Sequence, residues 1–199
     1  MTHAWHLEQH DSALNWQAGL RLGFVRSGAR TQLAHTSHRG PLRVQRPLTP
    51  EGLDCPHLYI LHPPGGLVSG DNLRLQADMQ ENACAVLTTP SSGKFYRARD
   101  NGTLQVQHNR FTLAAGSSLE YLPQDTIAFE GCHARMITRI DLAVDARCVA
   151  WDLLCLGRPA AGEGFSYGQV DQRLDVWRDG RPIYIERNQF IGGDPLLEA

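Results

Sequence analysis

Imidazole and carboxylate side chains near glycine-rich turns are the groups in this 199-residue chain that could bind a metal ion. His62 and Asp71 flank residues 63–70, which contain two prolines and three glycines, and Glu120 and Glu163 lie near later turns. Imidazole and oxygen donors spread along a hydrophilic passage would bind a divalent ion weakly enough to release it. Each residue also has a structural alternative, namely a turn cap, a solvated histidine or a surface ion pair.

Motifs for catalysis are missing from the sequence. There is no Gly-x-Ser-x-Gly elbow, no Gly-x-Gly-x-x-Gly after a strand and no complete phosphate-binding loop. Residues 92–94 are similar to the end of such a loop, but Phe95 stands where a hydroxyl would bind the metal. We therefore expect no enzyme activity. A small-molecule enzyme that uses the turn from His62 to Asp71 stays open as an alternative, and it would show convergent groups with shifted pKa values.

The cysteines predict reduced thiols. There are five of them, an odd number, and none forms a Cys-x-x-Cys pair. Cys55 and His57 share one side of an extended segment, whereas Cys132 and His133 are adjacent and would point to opposite faces of a strand. No closed structural zinc site is visible, and buried thiols or solvated histidines account for these residues.

Composition and charge argue against nucleic acid and membranes as partners of this protein. A net charge of −2 and a pI near 6.5 provide no basic surface for nucleic acid or an anionic membrane. No apolar run approaches the ~18 residues of a membrane span, and the N-terminus lacks the pattern of a secretion signal. We expect a cytoplasmic protein with one domain over residues 12–199. Residues 1–11 are polar and rich in histidine, and we expect them to form a frayed tail.

Alternation of apolar and polar residues predicts a mostly-β domain. Residues 57–61 predict a strand that enters the proline-glycine turn, and a second strand begins at Leu73. Three other segments alternate with period two, namely 16–24, 104–107 and 136–144. Residues 148–156 are more continuously apolar, which predicts a strand covered on both faces or a short helix. Turn signals at short intervals favour a sandwich, a barrel or a solenoid-like stack.

One hairpin has a register that the sequence predicts. A two-residue loop at Asp179-Gly180 would place apolar residues opposite each other on one face. The predicted pairs are Arg178–Arg181, Val176–Ile183 and Leu174–Ile185. Pro182 has no N–H to donate, so this hairpin should contribute an edge strand.

Six segments in order resemble the urease accessory protein UreD family, called UreH in some sources. They are residues 40–47, 61–71, 87–97, 119–126, 157–163 and 179–182. The resemblance runs from about Trp16 to the C-terminus. Ser69 stands where the family usually has glycine. Family members usually continue several tens of residues beyond the position of Ala199, so we expect the C-terminal part of the family domain to be missing.

The resemblance implies a mostly-β fold with a small helical part and a non-catalytic role in urease maturation. Proteins of this family bind apo-urease and a UreF-type partner and, with a UreG-type GTPase, help to deliver nickel. The implied role is a scaffold with a transient nickel passage and no tightly bound cofactor. We assign the passage to His62, Asp71, Glu120 and Glu163. A purely structural interaction module without a metal role is the remaining alternative.

Overall fold

The computed structural model describes residues 16–100 and 102–197, and β-strands make up most of their regular structure. The strands are β1 (Gln17–Ser27), β2 (Arg30–Arg39), β3 (Arg43–Val44), β4 (His57–Leu61), β5 (Asn72–Met79), β6 (Cys84–Thr88), β7 (Gly93–Phe95), β8 (Gln105–Leu113), β9 (Ser118–Leu122), β10 (Thr126–Ala128), β11 (His133–Leu142), β12 (Arg147–Ala150), β13 (Leu154–Leu156), β14 (Gln169–Arg178) and β15 (Arg181–Ile191). Two short 3₁₀ helices span Pro159–Ala161 and Pro195–Leu197. The predicted tail, residues 1–11, lies outside the described residues.

Parallel stacking of successive chain turns is the organising feature of the fold. The seven-stranded sheet has the order β15-β14-β11-β8-β5-β1-β2, the five-stranded sheet β12-β9-β6-β4-β3, and the three-stranded sheet β13-β10-β7. From β5 to β13 the chain visits the seven-, five- and three-stranded sheets in the same cycle three times. Each turn pairs in parallel with the preceding one. The mostly-β prediction is confirmed, and of the three architectures considered this is the solenoid-like stack.

The core consists of side-chain rows that the parallel register aligns across the seven-stranded sheet. One row is apolar and contains Ala77, Phe111, Ile140 and Val176. The neighbouring row is mixed and contains Leu75, Asn109, Thr138 and Leu174. Burial of a side chain such as Phe111, which is fully buried, stabilises the fold by about 1.5–3 kcal/mol. The interior therefore has an apolar region and, directly beside it, a polar one.

In residues 104–107 the structure buries the polar parity and not the apolar one. Gln105 is fully buried, although the apolar residues of this segment have the opposite parity. Its side-chain nitrogen donates to the carbonyl oxygens of Leu67 (3.0 Å) and Tyr96 (2.6 Å), and its side-chain oxygen accepts from the His133 N–H (3.2 Å). A glutamine is tolerated here because its hydrogen-bonding groups are satisfied.

The apolar segment 148–156 is neither one strand nor a helix. It forms two short strands, β12 and β13, that belong to different sheets. The chain turns a corner between them. The half-buried side chains of this stretch pack against the core, whereas Val149, Trp151 and Leu153 are exposed. The alternation in residues 136–144 places Val144 on the buried face of strand β11. Val144 instead lies beyond the end of β11 and is 69% exposed.

The terminal hairpin forms at the predicted turn with a different register. Arg178 pairs with Arg181 as predicted, but a β-bulge between Val176 and Trp177 shifts the other pairs. Trp177 lies opposite Pro182, which has no N–H to donate. The pairs that follow are Val176–Tyr184 and Leu174–Glu186. The expected edge position is confirmed, since β15 is the outermost strand of its sheet.

The proline-glycine turn depends on two different properties of glycine. Gly65 and Gly70 have φ values of 78° and 89°, which favour glycine, and the Gly65 N–H donates to the His62 carbonyl oxygen (2.8 Å). Gly66 does not have a positive φ. A Cβ atom at Gly66 would overlap the ring of Tyr96 and lie 2.9 Å from Lys94 Cβ. Gly66 therefore allows a close approach between this turn and β7.

We predict that Gly66→Ala lowers the free energy of unfolding by about 1–3 kcal/mol because the added methyl group has no space. Gly19→Ala is the matched control, since a Cβ atom there meets nothing within 4 Å and its φ is not positive. Urea denaturation followed by circular dichroism measures both variants. Equal stability of the two variants would show that the close packing at Gly66 does not exist.

None of the helices in residues 16–100 and 102–197 is long and apolar enough to cross a membrane.

Candidate functional site

A cavity of about 380 Å³ lies where the three sheets meet. Its wall is mostly apolar, with contributions from residues such as Ile60, Leu67 and Leu73. Six of the polar residues in the wall are His62, Gln107, Asn109, Tyr121, Thr126 and Asp152. They come from the turn after β4, from β8, β9 and β10, and from the corner before β13. The mixed row of the core, which contains Asn109, thus borders the cavity.

A chain of hydrogen bonds fixes the polar side of the cavity. The Asn109 side-chain nitrogen donates to Tyr121 Oη (3.2 Å) and to Thr138 Oγ1 (3.1 Å). Thr138 Oγ1 in turn donates to Asp152 Oδ2 (2.6 Å). The Gln172 side chain donates to the backbone oxygen of Asp152 (2.9 Å), which holds the corner in place. These bonds orient the carboxylate of Asp152 from a rigid part of the structure.

Burial shifts the pKa values of Asp152 and Tyr121 in the cavity wall. Burial raises the pKa of Asp152 to about 6, although the hydrogen bond from Thr138 opposes this effect. Burial, with a smaller contribution from Asp152, raises the pKa of Tyr121 far above its usual range, so its hydroxyl stays protonated. The carboxyl group of Asp152 can thus change its charge close to neutral pH.

His62 lies at the edge of the same cavity. Burial lowers the pKa of His62, and the charge of Asp71 only partly opposes this shift, so the imidazole is neutral at pH 7. Among the described residues, its buried Nε2 atom has no hydrogen-bond partner. A neutral imidazole with a free nitrogen is the form of histidine that binds metal ions.

Two of the other carboxylates that the sequence suggested have structural partners. Asp71 is buried and accepts hydrogen bonds from the backbone N–H groups of Trp16 (3.0 Å) and Val68 (2.9 Å), so it closes the turn. Glu163 is exposed and forms a two-point ion pair with Arg158, whose hydrogen bond lowers the pKa of that carboxyl.

Glu120 lies on the outer face of β9 and is exposed, so it does not line the cavity. The described residues contain no group of three or more His, Cys, Asp or Glu side chains that could hold a metal ion together. Of the four residues assigned to a passage, the structure thus places only His62 in the cavity wall. For Asp71, Glu120 and Glu163, a role in metal passage stays a prediction.

Sequence reasoning did not identify Asp152, Asn109 or Tyr121. Asp152 carried a usable signal, because it interrupts the otherwise apolar segment 148–156. A carboxylate in such a segment is costly to bury unless it has hydrogen-bond partners or a function. Asn109 shares the inward parity of Phe111 on β8, but no local pattern in the sequence identifies its hydrogen-bond partners.

The outer face of the five-stranded sheet carries several apolar side chains among its polar ones. Val149 (54% exposed), Trp151 and Leu153 are exposed at one end of this face, and Leu48 is exposed at the other. Tyr59 and Val86 contribute further half-buried surface between them. We call this surface the outer apolar face. The exposed Glu120 of β9 lies in register between Val149 and Val86, so this apolar surface also contains a charged residue. Exposed apolar surface combined with polar residues is typical of a protein interface.

Residues 17–199 match the family model described as UreD urease accessory protein. Urease accessory protein UreD of Dechloromonas aromatica is 49% identical over 197 residues, covering 99% of this chain and 68% of the relative. The UreD protein of Saccharophagus degradans is 49% identical over 88% of this chain and 59% of its own length. The UreD protein of Klebsiella aerogenes is 48% identical over 90% of this chain and 65% of its own length. The chain thus spans roughly two thirds or less of the length of these relatives.

We predict that Asp152 makes stability depend on pH in the acid range. Because its pKa is raised in the folded protein, the folded state takes up a proton at higher pH than the unfolded state does. The contribution of Asp152 to the free energy of unfolding should therefore rise by on the order of 2–3 kcal/mol as pH falls from above 6 to about 4.

Asp152→Asn should remove this contribution while keeping an acceptor for Thr138. Asp145→Asn, at an exposed turn, is the matched control and should leave the contribution in place. Urea denaturation at a series of pH values measures the difference between the two variants. An unchanged pH dependence in the Asp152 variant would refute the raised pKa.

Proposed function

This chain belongs to the UreD family of urease accessory proteins, and we propose that it acts in urease maturation as a non-catalytic scaffold through which nickel passes. Family membership supports the accessory role. The observation that carries the rest is the cavity between the sheets, whose wall combines His62, Asp152 and neutral oxygen donors. The proposed location is the cytoplasm, where neither a membrane span nor a disulfide framework is required.

Nickel is the cargo in this proposal. The cavity wall offers an imidazole nitrogen from His62, a carboxylate from Asp152 and side-chain oxygens from Gln107, Asn109 and Tyr121. Nitrogen and oxygen donors of this kind suit a divalent nickel ion. A few donors spread over a mostly apolar wall bind an ion weakly and at several points, which is what transit requires. No tightly bound cofactor is part of the proposal.

The partners that we propose are apo-urease, a UreF-type protein and, through their complex, a UreG-type GTPase. The outer apolar face is the surface that we assign to one of the two direct partners. An enzyme active site at the turn from His62 to Asp71 has weaker support, because the Asp71 carboxylate is already bound by two backbone N–H groups. We expect the chain to be an adaptor with no turnover of its own.

We predict that His62→Ala and Asp152→Asn each lower urease activation by about tenfold, the scale of loss when a metal site loses an orienting or binding group. The assay combines the chain with apo-urease, the UreF-type partner, the GTPase, GTP, bicarbonate and nickel, and measures urease activity and nickel bound per urease. Complex formation and unfolding are measured on the same samples, because a passage should fail while the scaffold still assembles.

Asp145→Asn is the control and should activate urease like the unmodified chain. Glu120→Gln and Glu163→Gln report whether the nickel route extends to those carboxylates. If both cavity variants fold, assemble and activate urease fully, the passage is refuted and the chain is a structural module alone.

We predict that Val149→Glu abolishes co-purification with the partner that covers the outer apolar face, because a glutamate there would be desolvated beside the like charge of Glu120, its neighbour on β9. Val144→Glu is the matched control, since this valine is also exposed and lies outside the face. Both variants should unfold like the unmodified chain, as both positions are on the surface. Equal binding of both variants to apo-urease and to the UreF-type protein would exclude this face as the interface.

A further inference from the structure

Two free cysteines approach each other at one end of the outer face of the five-stranded sheet. Cys84 begins β6, and Cys55 lies in the segment that leads into β4. Their Sγ atoms are 2.6 Å apart. The Ser118 hydroxyl donates to Cys84 Sγ (3.1 Å), which orients this sulfur. The other three cysteines do not take part in this pair.

Backbone hydrogen bonds hold the two cysteines in place independently of their sulfur atoms. The Cys84 N–H donates to Thr31 Oγ1 (3.2 Å). The Thr31 N–H donates to the Leu53 carbonyl oxygen (3.0 Å), and the Val86 N–H donates to that of Pro56 (3.0 Å), so Cys55 lies between two anchored points. The fold itself brings the thiols together, and only a small movement separates them from the 2.05 Å length of a disulfide bond.

We propose that Cys55 and Cys84 are a site of reversible disulfide formation. With oxidised glutathione as the oxidant, one cysteine thiolate attacks a glutathione sulfur, and one glutathione thiolate leaves. The second cysteine loses its proton and attacks the mixed disulfide, which releases the second glutathione. Two protein thiols and one oxidised glutathione thus become one protein disulfide and two reduced glutathiones, which take up the two protons and the two electrons.

The environment of the pair sets the rate of this reaction. Burial raises the pKa of Cys55, and the neighbouring Cys84 on β6, Glu120 on β9 and Asp54 act in the same direction. The thiolate is the reacting form, so oxidation is slow at neutral pH and faster in alkaline solution. The disulfide would join the segment before β4 to β6, next to the outer apolar face. This modification is independent of the nickel passage and goes beyond it.

The test uses the full chain, incubated with oxidised glutathione at about pH 8, where thiolate is more abundant. Remaining thiols are alkylated, and peptides are mapped by mass spectrometry before and after reduction with dithiothreitol. We expect a Cys55–Cys84 cross-linked peptide and two fewer alkylated thiols. The midpoint of thermal unfolding should rise by about 5–10 °C, since the cross-link restricts the unfolded chain.

Two single variants complete the test. Cys148→Ser, at another half-buried cysteine, should keep both the cross-link and the thermal shift. Cys84→Ser should lose both. The proposal is overturned if Cys55 and Cys84 remain alkylatable in the oxidised protein, or if either stays joined to glutathione.

Discussion

The hydrogen bonds of Asn109 are the interaction on which the interior depends. A single amide group donates to Tyr121 Oη and to Thr138 Oγ1, and so it links β8 to β9 in the facing sheet and to β11 in its own. Without these partners the buried amide would cost several kcal/mol. Because Thr138 passes the chain of bonds to Asp152, the same amide fixes the side of the cavity that carries its carboxylate.

Parallel stacking explains why the strands could be predicted and their neighbours could not. A strand with one buried face has a two-residue period in its own sequence, and β1, β4 and β5 follow it closely. The parallel partner of each strand in the stack lies a whole chain turn away, as in the pairing of Asn109 with Thr138, whereas the β14–β15 hairpin is local and could be predicted. A pattern within one strand does not indicate which distant strand pairs with it. Gln105 shows a further limit, because its three hydrogen bonds override the polarity on which the parity argument depends.

The candidate site shows the same division between local and distant information. His62 was identifiable because the proline-glycine turn that holds it is continuous in sequence. Asp152 reaches the cavity only because the chain turns a corner between β12 and β13. An apolar segment in the sequence does not reveal where such a corner lies. The Cys55–Cys84 contact joins residues 29 positions apart through the sheet, so counting and spacing of cysteines predicted free thiols correctly but not their proximity.

Burying the polar groups of the cavity wall costs folding free energy. This cost suggests that the wall has a role other than stability. Replacing a buried polar network by well-packed apolar residues is often neutral or stabilising. The apolar row that contains Phe111 lies directly beside the network and shows that this register accommodates such packing. A carboxylate with a raised pKa, a neutral imidazole and an open volume occur together here. Stability alone does not require any of the three, and this excess of polar groups is the basis on which we propose that an ion enters and leaves the interior here.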